Sequence, residues 1–596
     1  MTRKSIMKKI SYSIVISVFL FSLNAQGFPD RMSIQIIPES TSKNNIYYAP
    51  VKVAIPTVNP YNGLFKCTDG EIRHYADDGY LYSRDHGKTW KFQSFSELDD
   101  KGKVLTGKRP LSMNPITGTC LRVVSGDGTK IQRSINGVDG KYTIGDNTKI
   151  SDVKISMIRP PYFLPSGRAV IVAGQTGSRP YQIAVFRSVD DGVKWTTTVL
   201  PAGPAFVVAP PHKGPRWENW CLEPTVVELT DGRIWMLART SQDEHYECFS
   251  NDAGVTWTTW QPSRFYGTLT MPFFLRLSDG RIVLFWNNTA SLPEVDRTND
   301  PNVSETVKAG VWEDVFTNRD AFHAAISDDD GRTWTGFREF RLNPYRNAAN
   351  YGTMAKKDYS VHQGQAIETD DNKILVAFGQ DTLVRELALF DPEWLYEPRR
   401  KSSFENGLED WSTFKYKKGI VGHCAYNRTD GAKLISHPDK SGAKALQVRH
   451  QLNSNLVFDK DGAVWNFPSA INGTFKTRIK LLSGGGGAQI CLVDRWFNPT
   501  DPVVADYSMY VLKIPGDGNL GNNVKLTPGQ WYDLTFDWAD SKTSECKLSI
   551  NGVSVNLNLP NLRTSINGIS YVHFQALSET EDLNGFLIES VEGGKK

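Results

Sequence analysis

One short motif recurs along this chain of 596 residues and constrains its fold more than any other feature. The motif S-x-D-x-G-x-T-W, here named the Asp box, occurs at Ser83–Trp90, Ser188–Trp195, Ser250–Trp257 and Ser327–Trp334, with lysine replacing threonine in the second copy. Its aspartate can hydrogen-bond backbone groups across a turn, its glycine permits a positive φ, and its tryptophan can pack between sheets. The Asp box is therefore predicted to be a folding device and not, by itself, a site.

The segments before each Asp box are typical of β-strands. Before the box at Ser250–Trp257 stand EPTVVEL, IWMLART and HYECFS, and the turn Thr230–Gly232 separates the first two. Residues 134–142 resemble a decayed copy of the Asp box. With this copy included, the Asp box recurs at intervals of roughly fifty to eighty residues. A further strand group, Tyr359–Leu395, lacks a box. The pattern predicts an all-β fold whose residues 32–400 form a six-bladed β-propeller.

The composition changes after Lys401, where a second module is predicted over residues 401–596. Segments such as Gly473–Leu481 and Trp531–Trp538 are typical of strands, Asn551-Gly552 is a strong hairpin signal, and helical periodicity is absent. We expect an antiparallel β-sandwich. The module resembles concanavalin-like, laminin-G-like jelly rolls, which implies either carbohydrate binding or a supporting role for the propeller.

The first 25 residues read as a signal peptide. Four basic residues precede an apolar run, Ile10–Leu23, which is too short to span a bilayer comfortably, and Leu23-Asn24-Ala25 is a plausible cleavage site. No cysteine follows, so a lipoprotein anchor is not expected. The segment predicts a secreted or periplasmic protein with no membrane contact after cleavage, and an uncleaved anchor remains the alternative.

The net charge and the cysteine spacing limit which ligands and binding partners are expected. The formal net charge is +3, which does not favour nucleic acid or an anionic membrane. The seven cysteines show no CxxC spacing, so no zinc site, and no other metal or cofactor, is expected. A glycan or polysaccharide is the expected partner, and the sequence leaves the oligomeric state open.

The fourth blade carries a more specific signature than the Asp boxes. E-P-T-V-V-E-L, D-G-R and A-R run from Glu223 to Arg239, and with the boxes they resemble the sialidase superfamily. The resemblance covers the propeller and implies that Glu223 assists a tyrosine nucleophile and that Arg239 belongs to a triad gripping a substrate carboxylate. It further implies that Tyr359, in D-Y-S at the start of the sixth blade, is the nucleophile, and it indicates Asp78 as the catalytic acid.

These residue types suit the implied chemistry. A phenol has an ordinary pKa near 10, so a tyrosine nucleophile needs an adjacent carboxylate to take its proton. A neutral phenol also avoids repulsion by an anionic sugar, and sialidases differ in this respect from glycosidases that use two carboxylates. Arginine offers a planar, bidentate grip on a carboxylate.

The chain departs from the family at the first triad arginine. Sialidases open the first blade with F-R-I-P, whereas this chain has Val53-Ala54-Ile55-Pro56, and alanine cannot hold a carboxylate. Arg159 in I-R-P-P has a similar look but opens the third blade. The third arginine is left open among Arg264, Arg276 and Arg319. We expect a sialidase-like scaffold with a changed substrate.

The predicted substrate-binding residues are Arg239, Arg159, Arg319, His362 and Trp220. Trp220 could stack on a sugar face, although tryptophan in propellers is more often part of the core. His362 could be a satisfied core histidine. It lies three residues after Tyr359, so strand alternation would put the two on opposite faces unless the chain turns there.

The predicted catalytic residues also have simpler interpretations. Glu223 and Arg239 could form a structural ion pair, Tyr359 could be a packing tyrosine, and Asp78 could belong to a solvated acidic turn.

Three functions are consistent with this sequence. The first is an exo-acting glycoside hydrolase that removes an acidic or deoxy sugar other than ordinary sialic acid from a complex glycan. The second is a polysaccharide lyase acting on uronic acids, with Tyr359, His362 and Arg239 as its working residues. The third is a non-catalytic glycan-binding protein, which Ala54 and the unidentified third arginine favour. We predict the hydrolase.

Overall fold

A computed structural model describes most of the chain after residue 61. The described residues are 62–75, 79–94, 111–135, 149–177, 180–207, 220–267, 269–292, 316–317, 319–348, 359–380, 384–421 and 425–596. The expected signal peptide, Ala54, Asp78 and most of the decayed box lie outside these ranges. Within them, no helix has the length and apolar character needed to cross a membrane.

Six antiparallel sheets follow one another along the first part of the described chain. The first comprises β1 (Leu64–Lys66), β2 (Ile72–Tyr75), β3 (Gly79–Ser83) and β4 (Lys91–Ser94). The second comprises β5 (Ser112–Met113), β6 (Cys120–Gly126), β7 (Gly128–Ser134) and β8 (Lys149–Ser151). The third comprises β9 (Ile155–Ser156), β10 (Tyr162–Phe163), β11 (Val170–Thr176), β12 (Ile183–Ser188) and β13 (Thr196–Val199).

The remaining three sheets complete the series. The fourth comprises β14 (Leu222–Glu228), β15 (Ile234–Arg239), β16 (Glu244–Ser250) and β17 (Gln261–Tyr266). The fifth comprises β18 (Phe273–Arg276), β19 (Ile282–Trp286), β22 (Ala321–Ser327) and β23 (Thr335–Leu342), with the ribbon β20 (Ser291–Leu292) and β21 (Phe316–Thr317) beside it. The sixth comprises β24 (Gln365–Glu368), β25 (Ile374–Phe378) and β26 (Glu386–Phe390).

The six sheets surround one axis. A cavity of about 170 Å³ is lined by residues from every sheet, among them Leu64, Ser112, Tyr162, Thr225, Phe273 and Ile367. Neighbouring sheets share apolar clusters, and the cluster that holds Leu64 and Leu81 of the first sheet also holds Leu375 and Leu389 of the sixth. The ring is therefore closed, and the prediction of an all-β, six-bladed propeller is confirmed.

The Asp boxes form the turns that the sequence predicts. In the first copy, the amide of Thr89 donates to Asp85 Oδ1 at 2.8 Å and the indole Nε1 of Trp90 donates to the carbonyl of Gly87 at 2.9 Å. His86 and Gly87 have φ values of 61° and 85°, which explains the glycine. Equivalent bonds recur in the other three boxes, with the Lys194 amide in the place of a threonine amide in the second. Each box closes the connection between the third and fourth strands of its blade.

Strand direction assigns the Asp boxes and the expected site residues to opposite faces of the propeller. Each described box follows the third strand of a blade, whereas Glu223 and Arg239 lie at the other end of the fourth blade, where Leu222 pairs with Arg239. Arg319 precedes β22, and His362 precedes β24, so both lie at this same end of their blades. We call this end the mouth face and the opposite end the box face.

A β-sandwich follows the propeller, and the predicted all-β, two-part architecture is confirmed. One sheet has the order β31 (Lys433–Ser436), β32 (Lys444–His450), β43 (Asp582–Lys595), β34 (Gly473–Leu481), β39 (Trp531–Trp538), β40 (Cys546–Ile550) and β41 (Val553–Leu559), with β27 (Arg399–Ser402) also paired to β43. The other has the order β28 (Trp411–Ser412), β33 (Gly462–Ala470), β42 (Ile569–Ala576), β35 (Gly487–Val493) and β36 (Tyr510–Pro515).

Short elements complete the sandwich and its junction with the propeller. Two ribbons pair β29 (Lys415–Val421) with β30 (Ala425–Thr429), and β37 (Asn519–Gly521) with β38 (Val524–Lys525). Two 3-10 helices span Pro392–Tyr396 and Val504–Tyr507.

The sandwich packs against the fifth blade through buried groups. Its Trp496 exchanges backbone hydrogen bonds with Asn288 and Ala290, both at 2.9 Å. Ala321 and Leu342 of the fifth blade belong to the apolar cluster that forms the core of the sandwich. The two parts therefore share one continuous core along this side of the fifth blade.

Removing an Asp-box carboxylate should destabilise its blade modestly. Burial raises the pKa of Asp252, but hydrogen bonds from Thr256 and Ser250 outweigh it and lower the pKa to about 2. We expect Asp252→Ala to lower the free energy of unfolding by about 1 kcal/mol and Asp252→Asn, which keeps an acceptor oxygen, by less. Because the folded pKa is depressed, the difference between wild type and Asp252→Asn should shrink as the pH falls from about 4 towards 2. Urea unfolding at several pH values measures this, and a constant difference would contradict it.

A second carboxyl group should make the propeller–sandwich junction sensitive to pH. Burial raises the pKa of Glu339 to about 7, although Arg400 and a 2.9 Å hydrogen bond from the Tyr571 hydroxyl oppose the shift. A raised folded pKa means that stability is greatest below about 4.5 and is lost as the pH rises through about 7. We expect Glu339→Gln to remove this loss, which is about 3 kcal/mol at most. The exposed Glu393→Gln is the control, and an identical pH profile for wild type and Glu339→Gln would refute the assignment.

Candidate active site on the mouth face

The mouth face of the fourth blade carries a buried ion pair. Arg239 Nη1 lies 2.6 Å from Glu223 Oε2, and the side chains are 15% and 2% exposed. The pairing of β14 with β15 is irregular between Leu222 and Thr225, so Glu223 lies in a break of the ladder. This break turns the carboxylate towards the arginine at the end of the neighbouring strand.

The backbone around Glu223 is strained. Cys221 and Glu223 have φ values of 69° and 45°, a region that residues with a Cβ rarely adopt. Glu223 Oε1 is buried and has no hydrogen-bond partner within the part of the chain that the structure describes. Strained residues and unsatisfied buried groups cost free energy and concentrate at functional sites. Both features support a functional reading of Glu223 over a purely structural one.

Arg319 approaches the same face from the fifth blade. Its Nη2 donates to the carbonyl of Leu269 at 2.7 Å, and its Nη1 lies 3.4 Å from His362 Nε2. The arginine is 5% exposed. Its guanidinium is therefore held between a backbone carbonyl and the histidine of the sixth blade.

The segment before β24 holds Tyr359 and His362, and it brings His362 to Arg319. The amide of Val361 donates to the carbonyl of Arg319 at 2.9 Å, and His362 Nε2 lies 2.7 Å from Gln380 Oε1. Residues 359–364 are not a strand, and Gln363 has a φ of 64°, so strand alternation does not apply to them. Tyr359 is 3% exposed and packs against Tyr345, with ring centroids 5.6 Å apart.

Arg159 reaches the fifth and sixth blades from the third. Its Nη1 contacts Met271 Sδ at 3.9 Å, and its Nη2 donates to the carbonyl of Gly364 at 3.3 Å. The guanidinium also lies 5.4 Å from the ring centre of Phe273 and lines the axial cavity. An arginine from the third blade thus lines the axial cavity and contacts the start of the sixth blade.

The connection between β17 and β18 links these cations, and sequence reasoning missed it. The amide of Leu269 donates to the carbonyl of Thr240, the residue after Arg239, at 2.8 Å. The Leu269 carbonyl accepts from Arg319, and Met271 contacts Arg159. Backbone carbonyls carry no residue-type signal, although Gly267, where a Cβ would lie 2.6 Å from Thr270 Oγ1, marks the close approach.

Two of the three candidate arginines for the triad lie elsewhere. Arg264 donates to the carbonyl of Arg332, and Arg276 pairs with Asp330 at 3.0 Å. Arg332 and Asp330 both belong to an Asp box, so these arginines serve the box face. Arg319 is the one of the three that the structure places at the mouth face.

The two remaining predicted site residues have no described contact with these mouth-face arginines or with Glu223. Trp220, which is partly buried, lies at the start of the fourth blade with its ring centre 6.2 Å from that of Tyr181. Asp78 lies outside the described residues. The described residues contain no group of three or more histidine, cysteine or acidic side chains arranged to hold a metal ion.

Breaking the mouth ion pair from one side should be costly. Arg239→Met leaves Glu223 buried without its cation, and we expect the free energy of unfolding to fall by about 3 kcal/mol. Adding Glu223→Gln should recover most of that loss, because the uncompensated charge is removed. The control is Arg233→Met in the same hairpin, whose exposed pair with Asp231 contributes less than about 1 kcal/mol. Urea unfolding of the wild type, the two single mouth variants, their double variant and the control measures this, and additive effects of the two mouth substitutions would contradict it.

Comparison with solved structures gives neighbours at low similarity. A sialidase from Trypanosoma rangeli is 12% identical over 95% of this chain and 94% of its own, with a TM-score of 0.33. A protein of unknown function from Dyadobacter fermentans is 16% identical over 55% of this chain and 93% of its own, with a TM-score of 0.33. A xylan β-1,4-xylosidase from Bacillus halodurans is 11% identical over 91% of this chain and 99% of its own, with a TM-score of 0.24.

One family model matches the middle of the chain. A search of the curated proteins gave no match. Residues 150–362 match the model described as a BNR repeat-like domain, and this range holds the third to fifth blades, Arg159, Glu223, Arg239, Arg319 and His362. The chain carries a BNR repeat-like domain over these residues.

Proposed function

We propose that this chain is a secreted, exo-acting glycoside hydrolase that removes an acidic or deoxy sugar from the end of a complex glycan. The observation that carries the proposal is the buried Glu223, whose backbone is strained and whose carboxylate is paired to Arg239 through one oxygen only. Such a carboxylate is suited to accept a proton or to stabilise a developing positive charge.

The proposed mechanism assigns one role to each group. The Tyr359 oxygen attacks the anomeric carbon, Glu223 takes the phenolic proton, and the bond from the anomeric carbon to the leaving oxygen breaks. Asp78 protonates that leaving oxygen. Water then releases the sugar from the tyrosine in a second step that reverses these proton transfers.

The cations on the mouth face support an anionic or strongly polar terminal sugar. Arg239, Arg319 and Arg159 come from three different blades, and each is held by contacts with a neighbouring strand or blade. Fixed guanidinium groups recognise a carboxylate with little loss of side-chain entropy. Because Ala54 replaces the first arginine of the family pattern, we propose a substrate other than ordinary sialic acid.

A lyase is the second candidate, and the arrangement of His362 favours it. The imidazole lies 3.4 Å from Arg319, so a base and a carboxylate-neutralising cation are adjacent. A uronate lyase needs both groups, one to remove the proton beside the carboxylate and one to stabilise the resulting anion.

Incubation with plant, algal and host glycans, followed by mass analysis of the products, tests the proposal. Hydrolysis adds the mass of water to the products, whereas a lyase adds none and creates an absorbing C=C bond. Binding without any product would support a non-catalytic glycan-binding protein instead and would reject the hydrolase.

Tyr359→Phe should lower kcat/KM by about 10³-fold on any glycan that the wild type cleaves, because phenylalanine has no nucleophilic oxygen. Glu223→Gln should lower it by a similar factor. Tyr345→Phe is the matched control, since it removes a neighbouring hydroxyl that has no assigned role in the chemistry. Full activity of Tyr359→Phe would refute the nucleophile assignment, and unfolding curves would verify that each variant is folded.

A further inference from the structure

An arginine of the sandwich stacks on a tyrosine of the fourth blade. The guanidinium carbon of Arg495 lies 3.2 Å from the ring centre of Tyr266, and Arg495 is 2% exposed. Its Nε donates to Asp494 Oδ1 at 3.1 Å. A second arginine, Arg563, donates to the Tyr266 hydroxyl at 2.8 Å. Two arginines of the sandwich therefore contact Tyr266, one at its ring face and one at its hydroxyl.

Tyr266 is the last residue of β17 and directly precedes the β17–β18 connection. It ends β17, pairs with Glu244 at the mouth end of β16, and accepts a hydrogen bond on its carbonyl from Trp286 Nε1 at 2.9 Å. The chain that follows supplies the Leu269 carbonyl to Arg319 and the Met271 sulfur to Arg159. The position of Tyr266 therefore influences the positions of the groups that contact Arg319 and Arg159.

A second contact from the sandwich reaches the residue after Arg319. Arg428 Nη1 lies 2.7 Å from Asp320 Oδ1, and both side chains are less than 5% exposed. Asp320 also accepts from Asn343 Nδ2 at 2.8 Å, and its carbonyl accepts from the amide of Asn343 at 2.7 Å. The sandwich therefore contacts the residue directly after Arg319, in addition to Tyr266.

We infer that the sandwich is a working part of the propeller site, in which Arg495 and Arg428 are positioning residues that hold Arg319 for an anionic group of the substrate. This inference rests on the proposed function for its chemical consequence. Its structural consequence, a fixed Leu269 carbonyl and a fixed Arg319, does not depend on which reaction is catalysed. Arg495 acts through Tyr266 and the β17–β18 connection, and Arg428 acts through Asp320.

Burial of these arginines is not explained by stability alone. Taking a guanidinium out of water is costly, and replacing buried ion pairs by well-packed apolar residues is often neutral or stabilising. An interface could therefore be built without charges at these positions. What a buried, stacked arginine adds is a fixed geometry, because its planar fork and its aromatic partner allow few alternative arrangements.

Contacts on the box face provide a comparison. Arg264 also joins the propeller to the sandwich, through Asn567 Oδ1 at 2.7 Å and the carbonyl of Ile566 at 2.8 Å. Its other bond is to the carbonyl of Arg332 in an Asp box. No described contact of Arg264 leads to a mouth residue, so the positioning role is confined to the mouth end of the interface.

Hydrogen exchange of Arg495→Met in the full chain tests the structural part. We expect exchange of the amides of Leu269 and Val361, which donate to Thr240 and Arg319, to become at least about tenfold faster. The control is Arg478→Met, which removes a guanidinium 5.9 Å from the Trp531 ring within the sandwich and should leave both amides unchanged. Unchanged exchange in a folded Arg495→Met protein would overturn the inference, whether or not any glycan is cleaved.

Kinetics on a glycan with a terminal carboxylate, and on its carboxyl-reduced form, test the chemical part. Arg495→Met should raise KM for the carboxylate form by about tenfold, with kcat changed by less than about threefold and no change for the reduced form. Tyr266→Leu should have the same effect, and the double variant should be no worse than either alone. Equal losses on both substrates would overturn the inference. If Arg495→Met does not fold, Arg495→Lys, which keeps the charge but not the planar stack, replaces it in both experiments.

Discussion

A charged side chain that is taken out of water needs a partner, and this requirement shapes the mouth face. Glu223 is held by Arg239 within the fourth blade, Arg319 by a carbonyl from the β17–β18 connection, and Arg159 by a carbonyl of the sixth blade. Each partner comes from a neighbouring strand or another blade. Arg319 and Arg159 therefore depend on contacts between blades, because separating the blades would remove these carbonyls from their buried guanidinium groups.

The architecture could be predicted from the sequence because its signals are local. The Asp box needs a serine, an aspartate and a glycine at fixed spacing to close one turn, so each copy marks a blade regardless of the rest of the chain. The sandwich strand Gly473–Leu481 begins and ends where its residue pattern indicates. The start of the sandwich is less local, since β27 begins at Arg399 and pairs with β43 at the far end of the sequence.

The site could be predicted only in part, because its geometry depends on pairings that are distant in the sequence. The spacing of Glu223 and Arg239 reflects one hairpin, and the structure joins them in an ion pair. The sequence could not select the third triad arginine among Arg264, Arg276 and Arg319, because all three lie in or beside strands of similar composition. The structure separates them, because strand direction shows which of them lies on the mouth face. The Leu269 carbonyl and the Arg495 stack carry no pattern that a sequence reveals, because a carbonyl is common to all residues and the stack joins two separate parts of the chain.

The two faces of the propeller differ in how their contacts are built. On the box face, the same short-range hydrogen bonds recur in each described Asp box. These bonds join residues of one turn and need no partner from another blade. On the mouth face, the described contacts of the third to sixth blades differ from one another, and positive φ values fall on Cys221, Glu223, Leu269 and Gln363. Strain of this kind persists only where surrounding packing determines the backbone. The sandwich supplies part of that packing beside the fifth blade. Residues of the mouth face can therefore change without altering the repeated turns of the box face.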